Sequence, residues 1–356
     1  MISRPLLYNQ VWLYRLVCCA RQVLYNWRVG RLTDSYKPLF IILFPFAILY
    51  GSIMTILCMG KVAKQMKEDL IKPFDDELSV VAILKNETAY VREWIEYYRL
   101  LGATKFYIYD NASQDNVKEA ISDYIDSGIV VYQYFPGKYR QNMAYTDAIN
   151  NYASKTRFMA VVDLDEFIVP IDDKLTLIDV LKNIVRRKPY AAGVAIPWLM
   201  YGSSHHKKRP QGLVIDNYLY RAQDSFMLNV KTVFNPRLAN GYNNPHYPIY
   251  KYGAFSINEN GYIIIGKYDN DKSCKQIRIN HYFTKSEEEF CAKVARGTAD
   301  KYLYRSFDNF VQWDKNDVYD GIMLRYSKQI KRNMQNSTKC NPGPRVCVGD
   351  EGRSLV

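Results

Sequence analysis

The sequence lacks the motifs that mark the commonest cofactor and metal sites. It has no Gly-x-Gly-x-x-Gly and no Gly-x-x-x-x-Gly-Lys-Ser/Thr segment, which argues against a Rossmann dinucleotide site and against a P-loop. Its seven cysteines form no Cys-x-x-Cys pair and show no Cys/His spacing typical of zinc. The odd number of cysteines favours reduced thiols over a disulfide framework.

The chain is not short of apolar residues, and its charge is uneven. Hydrophobic residues make up 48% of the 356 residues, which excludes a disordered chain and allows one large domain or two ordinary ones. Residues 1–72 contain ten Lys/Arg and three Asp/Glu, whereas the other 284 residues contain 38 and 33. Because the basic excess lies beside a hydrophobic run, it favours an anionic membrane surface over nucleic acid as a partner.

That hydrophobic run is Leu39–Gly60, which contains no charged residue. A helix of this length measures about 33 Å, enough to cross a bilayer core. We expect residues 1–72 to be membrane-associated, as a single-pass helix or a re-entrant hairpin that folds back at Pro45, with a buried globular helix as the alternative. Residues 6–29 have the pattern of a basic amphipathic helix, either interfacial or a cytoplasmic extension.

The side of the membrane on which the rest of the chain lies is left open. The count of basic residues favours a cytoplasmic N-terminal flank, which would place the body of a single-pass protein outside the cytosol. The glycosylation sequons at Asn86 and Asn111 lie within candidate site motifs, where a glycan would obstruct binding, and this favours a cytosolic body.

Residues 73–335 are predicted to form one α/β domain, entered through the polar linker Lys72–Glu77 and followed by a disordered tail at 336–356. Apolar strands alternate with amphipathic helices, which predicts a mainly parallel sheet flanked by helices. The predicted strands are Leu78–Leu84, Lys105–Tyr109, Ile129–Tyr134 and Arg157–Val162, and the predicted helices are Thr88–Leu101, Asp115–Asp126 and Asn142–Tyr152.

Polar clusters follow three of these strands, at 85–87, 110–115 and 163–166. Ligands of open α/β sheets bind beyond the carboxyl ends of the strands, so the three clusters should converge on one crevice. Asp, Asn and Glu side chains there suit a nucleoside and a metal-bound diphosphate. The alternative is a set of local turns and helix caps, a role that Ser113 and Asp115 both fit.

The third cluster contains an Asp-x-Asp step, formed by Asp163 and Asp165. In an extended chain, residues i and i+2 point to the same side, so both carboxylates can meet one hard divalent cation such as Mg²⁺ or Mn²⁺. The alternative is a solvated acidic turn after a buried strand.

With these motifs in place, the body resembles glycosyltransferase family 92, of the GT-A fold and related to the large family 2 group, over about residues 78–300. The segments that carry the resemblance are VVAILKNE, REWIEYYRLLG, FYIYDNASQD, QNMAYTDAI, MAVVDLDEFIVP, IPWLMYGSSHHKKRPQGLVIDNYLYRA, VKTVFNPR, NPHY and IRINHYFTKSEEEFCAKVARG.

The resemblance implies transfer of a sugar from a nucleotide diphosphate donor, commonly UDP-linked, to a hydroxyl of a glycan or lipid-linked saccharide, with inversion. It implies Mn²⁺ or Mg²⁺ held by Asp163 and Asp165, with Glu166 supporting them. His281 either completes the metal site or is structural. The alternative is a non-catalytic relative that binds a sugar or nucleotide. The oligomeric state is left open. The residues that match the donor-binding half are Lys85, Asn86, Glu87, Asp110, Asn111, Asp115, Gln141 and Tyr145. Asp147 belongs to the same segment as Gln141 and Tyr145, but it could equally be a surface charge of the helix.

An inverting transferase needs a base for the acceptor hydroxyl. Asp216 is the first candidate, although the family leads us to expect Glu there, and Asp224 and His246 are the reserves. Other residues have two open interpretations, a role at the site or an ordinary one in the core or on the surface. Trp198 stacks on a sugar or packs in the core, and the others bind phosphate or acceptor or are solvated: His206, Lys207, Lys285, Lys293 and Arg296.

Overall fold

A computed structural model describes residues 37–226, 229–297 and 306–339 of the chain. The predicted amphipathic helix at 6–29 lies outside the described residues, as do residues 340–356 of the predicted disordered tail. The final helix continues to Lys339, so the folded part extends past the predicted domain end at 335.

The described residues form ten α-helices, which we number in chain order. They are α1 Lys37–Ile71, α2 Thr88–Leu100, α3 Val117–Ala120, α4 Ser122–Asp126, α5 Gln141–Tyr152, α6 Leu177–Val185, α7 Val214–Asn217, α8 Glu287–Arg296, α9 Phe307–Trp313 and α10 Leu324–Lys339. The helix predicted at 115–126 is thus two short helices, α3 and α4.

The strands of the described residues are numbered in the same way. They are β1 Asp76–Leu84, β2 Lys105–Asp110, β3 Val130–Tyr134, β4 Thr156–Val161, β5 Glu166–Pro170, β6 Ala191–Met200, β7 Tyr220–Arg221, β8 Val230–Phe234, β9 Ala239–Asn244, β10 Tyr247–Tyr250, β11 Phe255–Ile257, β12 Ile263–Ile264, β13 Ile277–His281 and β14 Val318–Tyr319.

The central sheet has the strand order β12-β11-β6-β8-β4-β1-β2-β3. Strands β1 to β4 pair in parallel, whereas β8 is antiparallel to both of its neighbours, β4 and β6. Strand β13 extends the sheet, parallel to β6 and antiparallel to β5. The expected α/β architecture with a mainly parallel sheet is confirmed, with an antiparallel strand inserted at its centre.

Helix α2 shows how the sequence pattern fixes the helical layer. Its predicted inner face, formed by Val91, Trp94, Ile95 and Tyr98, is fully buried. The Trp94 Nε1–H donates to the carbonyl of Asp163 at 3.1 Å, and the Tyr98 hydroxyl donates to the carbonyl of Glu166 at 3.0 Å. The same face that packs the helix on the sheet therefore also holds the acidic segment after β4.

Helix α1 contains the apolar run and continues into the domain. The helix is continuous through Pro45, so the predicted hairpin at that residue is wrong. Among the described residues no helix is long and apolar enough to cross a membrane. The side chains of 39–44, 47 and 48, part of the predicted span, lie outside the described residues.

The last turns of α1 belong to the domain core, rather than to a separate N-terminal segment. Val62 and Met66 are buried in the main hydrophobic cluster. Asp69 accepts hydrogen bonds from Asn235 at 2.7 Å and from Arg237 at 2.9 Å.

Candidate functional site

A cleft of about 730 Å³ opens where β1, β2 and β4 end and β8 begins. All three predicted clusters contribute to its lining, through Lys85 and Glu87, through Asn111, and through Asp163 and Asp165. The parallel strands therefore bring these side chains to one edge, because the carboxyl ends of parallel strands lie together.

The predicted donor-binding residues divide into two groups. Lys85, Glu87, Asn111 and Gln141 line the cleft, whereas Asn86, Asp110, Asp115 and Tyr145 lie behind it. The Asn111 amide donates to the carbonyls of Phe135 and Gly137, at 3.0 and 2.8 Å, which ties the loop after β2 to the loop after β3.

Residues of the second group shape the loops that carry the first. Asn86 has a φ of 53°, a left-handed conformation that Asn tolerates. Its Oδ1 accepts from the Gln114 N–H at 2.8 Å, and Asp115 Oδ2 accepts from the Thr88 N–H at 2.8 Å. Asp110 accepts from the Ser113 N–H at 2.8 Å. The loops after β1 and β2 thus hold each other in place.

The Asp-x-Asp step reaches the cleft from a turn rather than from an extended chain. The Glu166 N–H donates to the Asp163 carbonyl at 3.0 Å, and Leu164 between the two aspartates is buried. The extended geometry expected from the sequence is therefore wrong, although both carboxylates line the cleft. Glu166 is fully buried and its Oε2 accepts from the Asp163 N–H at 3.0 Å, which closes the turn from the other side.

The carboxylate of Asp163 is held by neighbours on two elements, α5 and β8. Its Oδ1 accepts from the Tyr145 hydroxyl at 3.0 Å and from Gln141 Nε2 at 3.3 Å, both on α5. Its Oδ2 lies 3.1 Å from Lys231 Nζ. Burial opposes the charged form, but Lys231 outweighs it and lowers the pKa of Asp163.

Lys231 is a central residue of the site that the sequence interpretation missed. Its side chain is 2% exposed and its Nζ lies 3.5 Å from Glu166 as well as next to Asp163. Burial opposes its charge, but the two carboxylates outweigh this and raise its pKa. The sequence did contain an indication of this role, a lone lysine within the mainly apolar strand Val230–Phe234. A charge buried in such a strand requires a partner of opposite charge.

Asp165 has different partners. Lys293 Nζ on α8 lies 2.5 Å from its Oδ2, and His281 Nε2 lies 3.6 Å from its Oδ1. Although burial opposes the charge, Lys293 and then His281 bring the pKa of Asp165 well below its usual range. Burial lowers the pKa of His281, so the imidazole is neutral near pH 7, which is the form that binds metals.

The residues around Asp165 fit a divalent cation of a particular kind. In the part of the chain that the structure describes, no three His, Cys, Asp or Glu side chains are placed to hold a metal ion by themselves. A carboxylate oxygen and a neutral imidazole nitrogen are nevertheless adjacent, and His281 Nδ1 is buried without a hydrogen-bond partner. Mg²⁺ typically takes one or two protein ligands and completes its shell with water and substrate phosphates. The donor set fits that arrangement.

Two of the three candidate bases lie away from the cleft. Asp216 does not line it, and its Oδ2 pairs with Lys331 Nζ of α10 at 2.5 Å. Asp224 is 65% exposed and pairs with Arg221 at 2.8 Å. This placement does not support a base role for either.

His246 is the candidate base that does line the cleft. Its Nδ1 lies 2.9 Å from the Val230 carbonyl, which can only accept, so Nδ1 carries the proton and Nε2 is the acceptor. Burial, and then Lys231, lower the pKa of His246 to about 3, so the ring is neutral.

Trp198 lies between His246 and His281, with ring centroids at 4.9 and 4.2 Å, and it lines the cleft. Lys293 and Arg296 also line it, and Arg296 pairs with Glu87 at 2.5 Å. Trp198, Lys293 and Arg296 therefore line the cleft, which is the placement that a role at the site requires.

Other expected contacts are not made at the cleft. Lys285 lies 3.5 Å from the ring centroid of Tyr90, and Asp147 accepts from the Tyr109 hydroxyl at 2.8 Å. His206 Nε2 lies 3.2 Å from the carbonyl of Asn217, and Lys207 is exposed. None of these four residues is among those that line the cleft.

Comparisons with known proteins identify relatives of this chain. A family model described as Glycosyltransferase family 92 matches residues 80–334. A glycosyltransferase family 92 protein of Oryza sativa subsp. japonica is 28% identical over 145 residues, which cover 40% of this chain and 24% of that protein. One from Arabidopsis thaliana is 28% identical over 122 residues, or 34% of this chain and 20% of that protein. The chain spans about a quarter of the length of these curated relatives.

Solved structures give a weaker likeness. The crystal structure of S. aureus TarS 1-349 in complex with UDP matches with 15% identity and a TM-score of 0.30, over 46% of this chain and 47% of that chain.

Proposed function

Because the chain belongs to glycosyltransferase family 92, we propose that it transfers a sugar from a nucleotide diphosphate donor, a UDP-sugar, to a hydroxyl of a glycan or lipid-linked saccharide. The observation that carries the proposal is the single cleft that gathers Lys85, Asn111, Asp163, Asp165 and Lys293 at one edge of the sheet. Such a cleft offers polar groups for a nucleoside and cations for a diphosphate.

The donor lies over the ends of β1, β2 and β4. Asn111 and Gln141 offer their amide oxygens to the nucleoside, because their NH₂ groups already donate within the protein. Lys85 and Lys138 supply charge for the diphosphate. Arg296, which pairs with Glu87 and donates to the carbonyl of Asn86 at 3.2 Å, keeps the loop after β1 in place.

The proposed cofactor is Mn²⁺ or Mg²⁺, held by Asp165 and His281 with Asp163 behind them. When bound, the ion neutralises the charge that develops on the leaving diphosphate. Lys293, next to Asp165, places a second positive charge at the same point.

Transfer with inversion is an in-line displacement. The acceptor oxygen forms a bond to the anomeric carbon while the bond from that carbon to the diphosphate breaks, and the bonding pair leaves with the diphosphate. The acceptor proton has to pass to a base. His246 Nε2, the unprotonated ring nitrogen, takes this proton as the new bond forms, because the acceptor oxygen then becomes far more acidic than the imidazolium. The low pKa of the ring returns the proton to solvent water.

Membrane association of residues 1–72 is part of the proposal. The apolar run and the basic residues that follow it, at 61, 64 and 67, support it. Flotation of the full chain with sealed vesicles tests it, and protease protection of the body then gives its orientation. A chain that stays in the soluble fraction would contradict it.

The alternative is a non-catalytic relative that binds a sugar or nucleotide. A titration with UDP, with and without Mn²⁺, tests the donor site, and a screen of nucleotide sugars for metal-dependent turnover tests catalysis. We expect metal-linked UDP binding and turnover of at least one UDP-sugar. Binding without any turnover would favour the alternative, and loss of both would reject the donor site.

A further inference from the structure

The charges in the cleft do not balance. Its carboxylates are Glu87, Asp163 and Asp165, and each is already paired, with Arg296, Lys231 and Lys293 respectively. Three lysines that line the cleft have no carboxylate partner among the described residues: Lys85, Lys138 and Lys267. The cleft therefore carries an excess of positive charge and can bind more than one anionic group.

The three lysines lie on two different sides of the Asp-x-Asp turn. Lys85 follows β1 and Lys138 follows β3, on the side of the nucleotide. Lys267 lies on the other side, because its carbonyl accepts from the Val230 N–H at 3.0 Å, at the start of β8. A diphosphate seated at the turn accounts for the first two lysines and leaves Lys267 without an anion.

The neighbours of Lys267 are suited to a saccharide. Tyr268 next to it is 52% exposed and presents an aromatic ring, and Asn229 bridges to Tyr268 through the backbone. Two buried polar atoms there have no hydrogen-bond partner, the donor Trp198 Nε1 and the acceptor Asn229 Oδ1, and both residues line the cleft. A sugar hydroxyl both donates and accepts, so it can satisfy two such atoms.

We propose that Trp198, Asn229, Lys267 and Tyr268 form the acceptor subsite, and that it takes an acidic saccharide, one that carries a carboxylate or a phosphate. This inference rests on the proposed function. Trp198 and Asn229 bind hydroxyl groups, Tyr268 packs on the ring, and Lys267 pairs with the anionic substituent. The acceptor hydroxyl then lies beside His246, whose ring neighbours that of Trp198.

The test uses matched sugars that differ only in the anionic group. Galactose and galacturonic acid form one pair, and glucose and glucose 6-phosphate form the other. Their affinities for the full chain, saturated with UDP and Mg²⁺, are measured by ligand-observed NMR. We expect at least one acidic member to bind about tenfold more tightly than its neutral partner, as one charge-assisted contact allows. The pair that shows it distinguishes a carboxylate from a phosphate.

Two variants separate charge from hydroxyl recognition. Lys267→Gln should remove the preference for the acidic sugar. Trp198→Phe keeps the ring but removes the N–H donor, so it should weaken both members of a pair and retain the preference. Lys251→Gln, at an exposed lysine away from the cleft, is the matched control and should keep the wild-type affinities.

Equal affinity for the acidic and neutral members of both pairs in the wild type, including no detectable binding of either, would overturn the proposal. A preference that survives Lys267→Gln would overturn it as well. If turnover is found, a loss on Lys267→Gln that falls on the KM of the donor rather than of the acceptor rejects the acceptor assignment. Failure of the proposed function is distinguishable, since no UDP-sugar would then be turned over, whatever the affinities for the acidic and neutral sugars.

Discussion

The two sides of the cleft are built differently. On the side of β1 to β4, the charged and amide side chains Lys85, Asn111 and Asp165 belong to loops after parallel strands. Hydrogen bonds tie the loops after β1, β2 and β3 to one another. On the other side, Trp198 and Lys231 lie within strands β6 and β8, and His281 is the last residue of β13. A substitution on the first side alters a loop, whereas a substitution on the second side alters the packing within the sheet. Function and stability should therefore be separable on the first side and coupled on the second.

The largest effect should follow from a change in the turn after β4. We expect Asp165→Asn to lower sugar transfer by about 10²–10³-fold, because the amide supplies no negative charge to a metal ion or to Lys293. The unfolding free energy should fall by about 1.5–3 kcal/mol, because Lys293 loses its carboxylate partner but still donates to the carbonyl of Phe283. Turnover of the nucleotide sugar and urea denaturation measure the two quantities.

Asp224→Asn is the matched control for that variant. Asp224 is exposed and pairs with Arg221 outside the cleft, so its transfer rate should stay within about twofold of the wild type. Retention of more than a tenth of the activity by Asp165→Asn, or an equal loss in both variants, would contradict the separation of function from stability on this side.

A substitution within β8 should have a large effect on stability. Lys231→Met removes the cation beside Asp163 and the fully buried Glu166, and we expect a loss of about 3–5 kcal/mol in unfolding free energy. Urea denaturation measures it. Lys182→Met, which breaks a partly exposed pair with Glu77, should cost no more than about 1 kcal/mol. Equal losses would show that the central charge cluster is not tightly coupled to folding.

The same contrast explains what could be predicted from the sequence. Strands β1 to β4, and the polar clusters after β1, β2 and β4, could be predicted because each strand and the loop after it are adjacent in the chain. Lys231 was missed because the rule that ligands lie at carboxyl ends fails for β8, an antiparallel strand whose amino end reaches the site.

Two further differences between expectation and structure have a similar origin, in contacts that are remote in sequence. The turn at Asp163 is held by a hydrogen bond from Trp94 Nε1 to the Asp163 carbonyl, so the alternation of an extended chain did not apply. Asp216 faces Lys331 because α7 packs near α10, and its position in the loop after β6 gives no indication of this.

A smaller effect is expected at Glu93, which joins α2, the helix after β1, to α7, the helix after β6. This buried carboxylate accepts from the N–H groups of Val214 and Ile215, at 2.8 and 3.1 Å. Burial raises the pKa of Glu93 from 4.5 to about 7, against the effect of those hydrogen bonds. Between these values the folded protein binds more protons than the unfolded chain, so the contribution of Glu93 to stability falls as the pH rises.

Glu93→Gln mimics the protonated acid and should remove this slope. From pH 4.5 to pH 8, the unfolding free energy of the variant relative to the wild type should shift by about 3 kcal/mol in favour of the variant. Urea denaturation at several pH values measures the shift. A difference in unfolding free energy between the two proteins that does not depend on pH would show that Glu93 does not titrate in this range.

The smallest effect should follow from Asp216→Asn. Its partner Lys331 is 51% exposed, so loss of the pair should cost at most about 1 kcal/mol of unfolding free energy. Because Asp216 does not line the cleft, kcat/KM for the acceptor should stay within about twofold of the wild type. A loss of 10²-fold or more would instead require α7 to turn toward the cleft when substrate binds. The acceptor side of the cleft would then move on substrate binding, and Asp216, the first candidate from the sequence, would be the base.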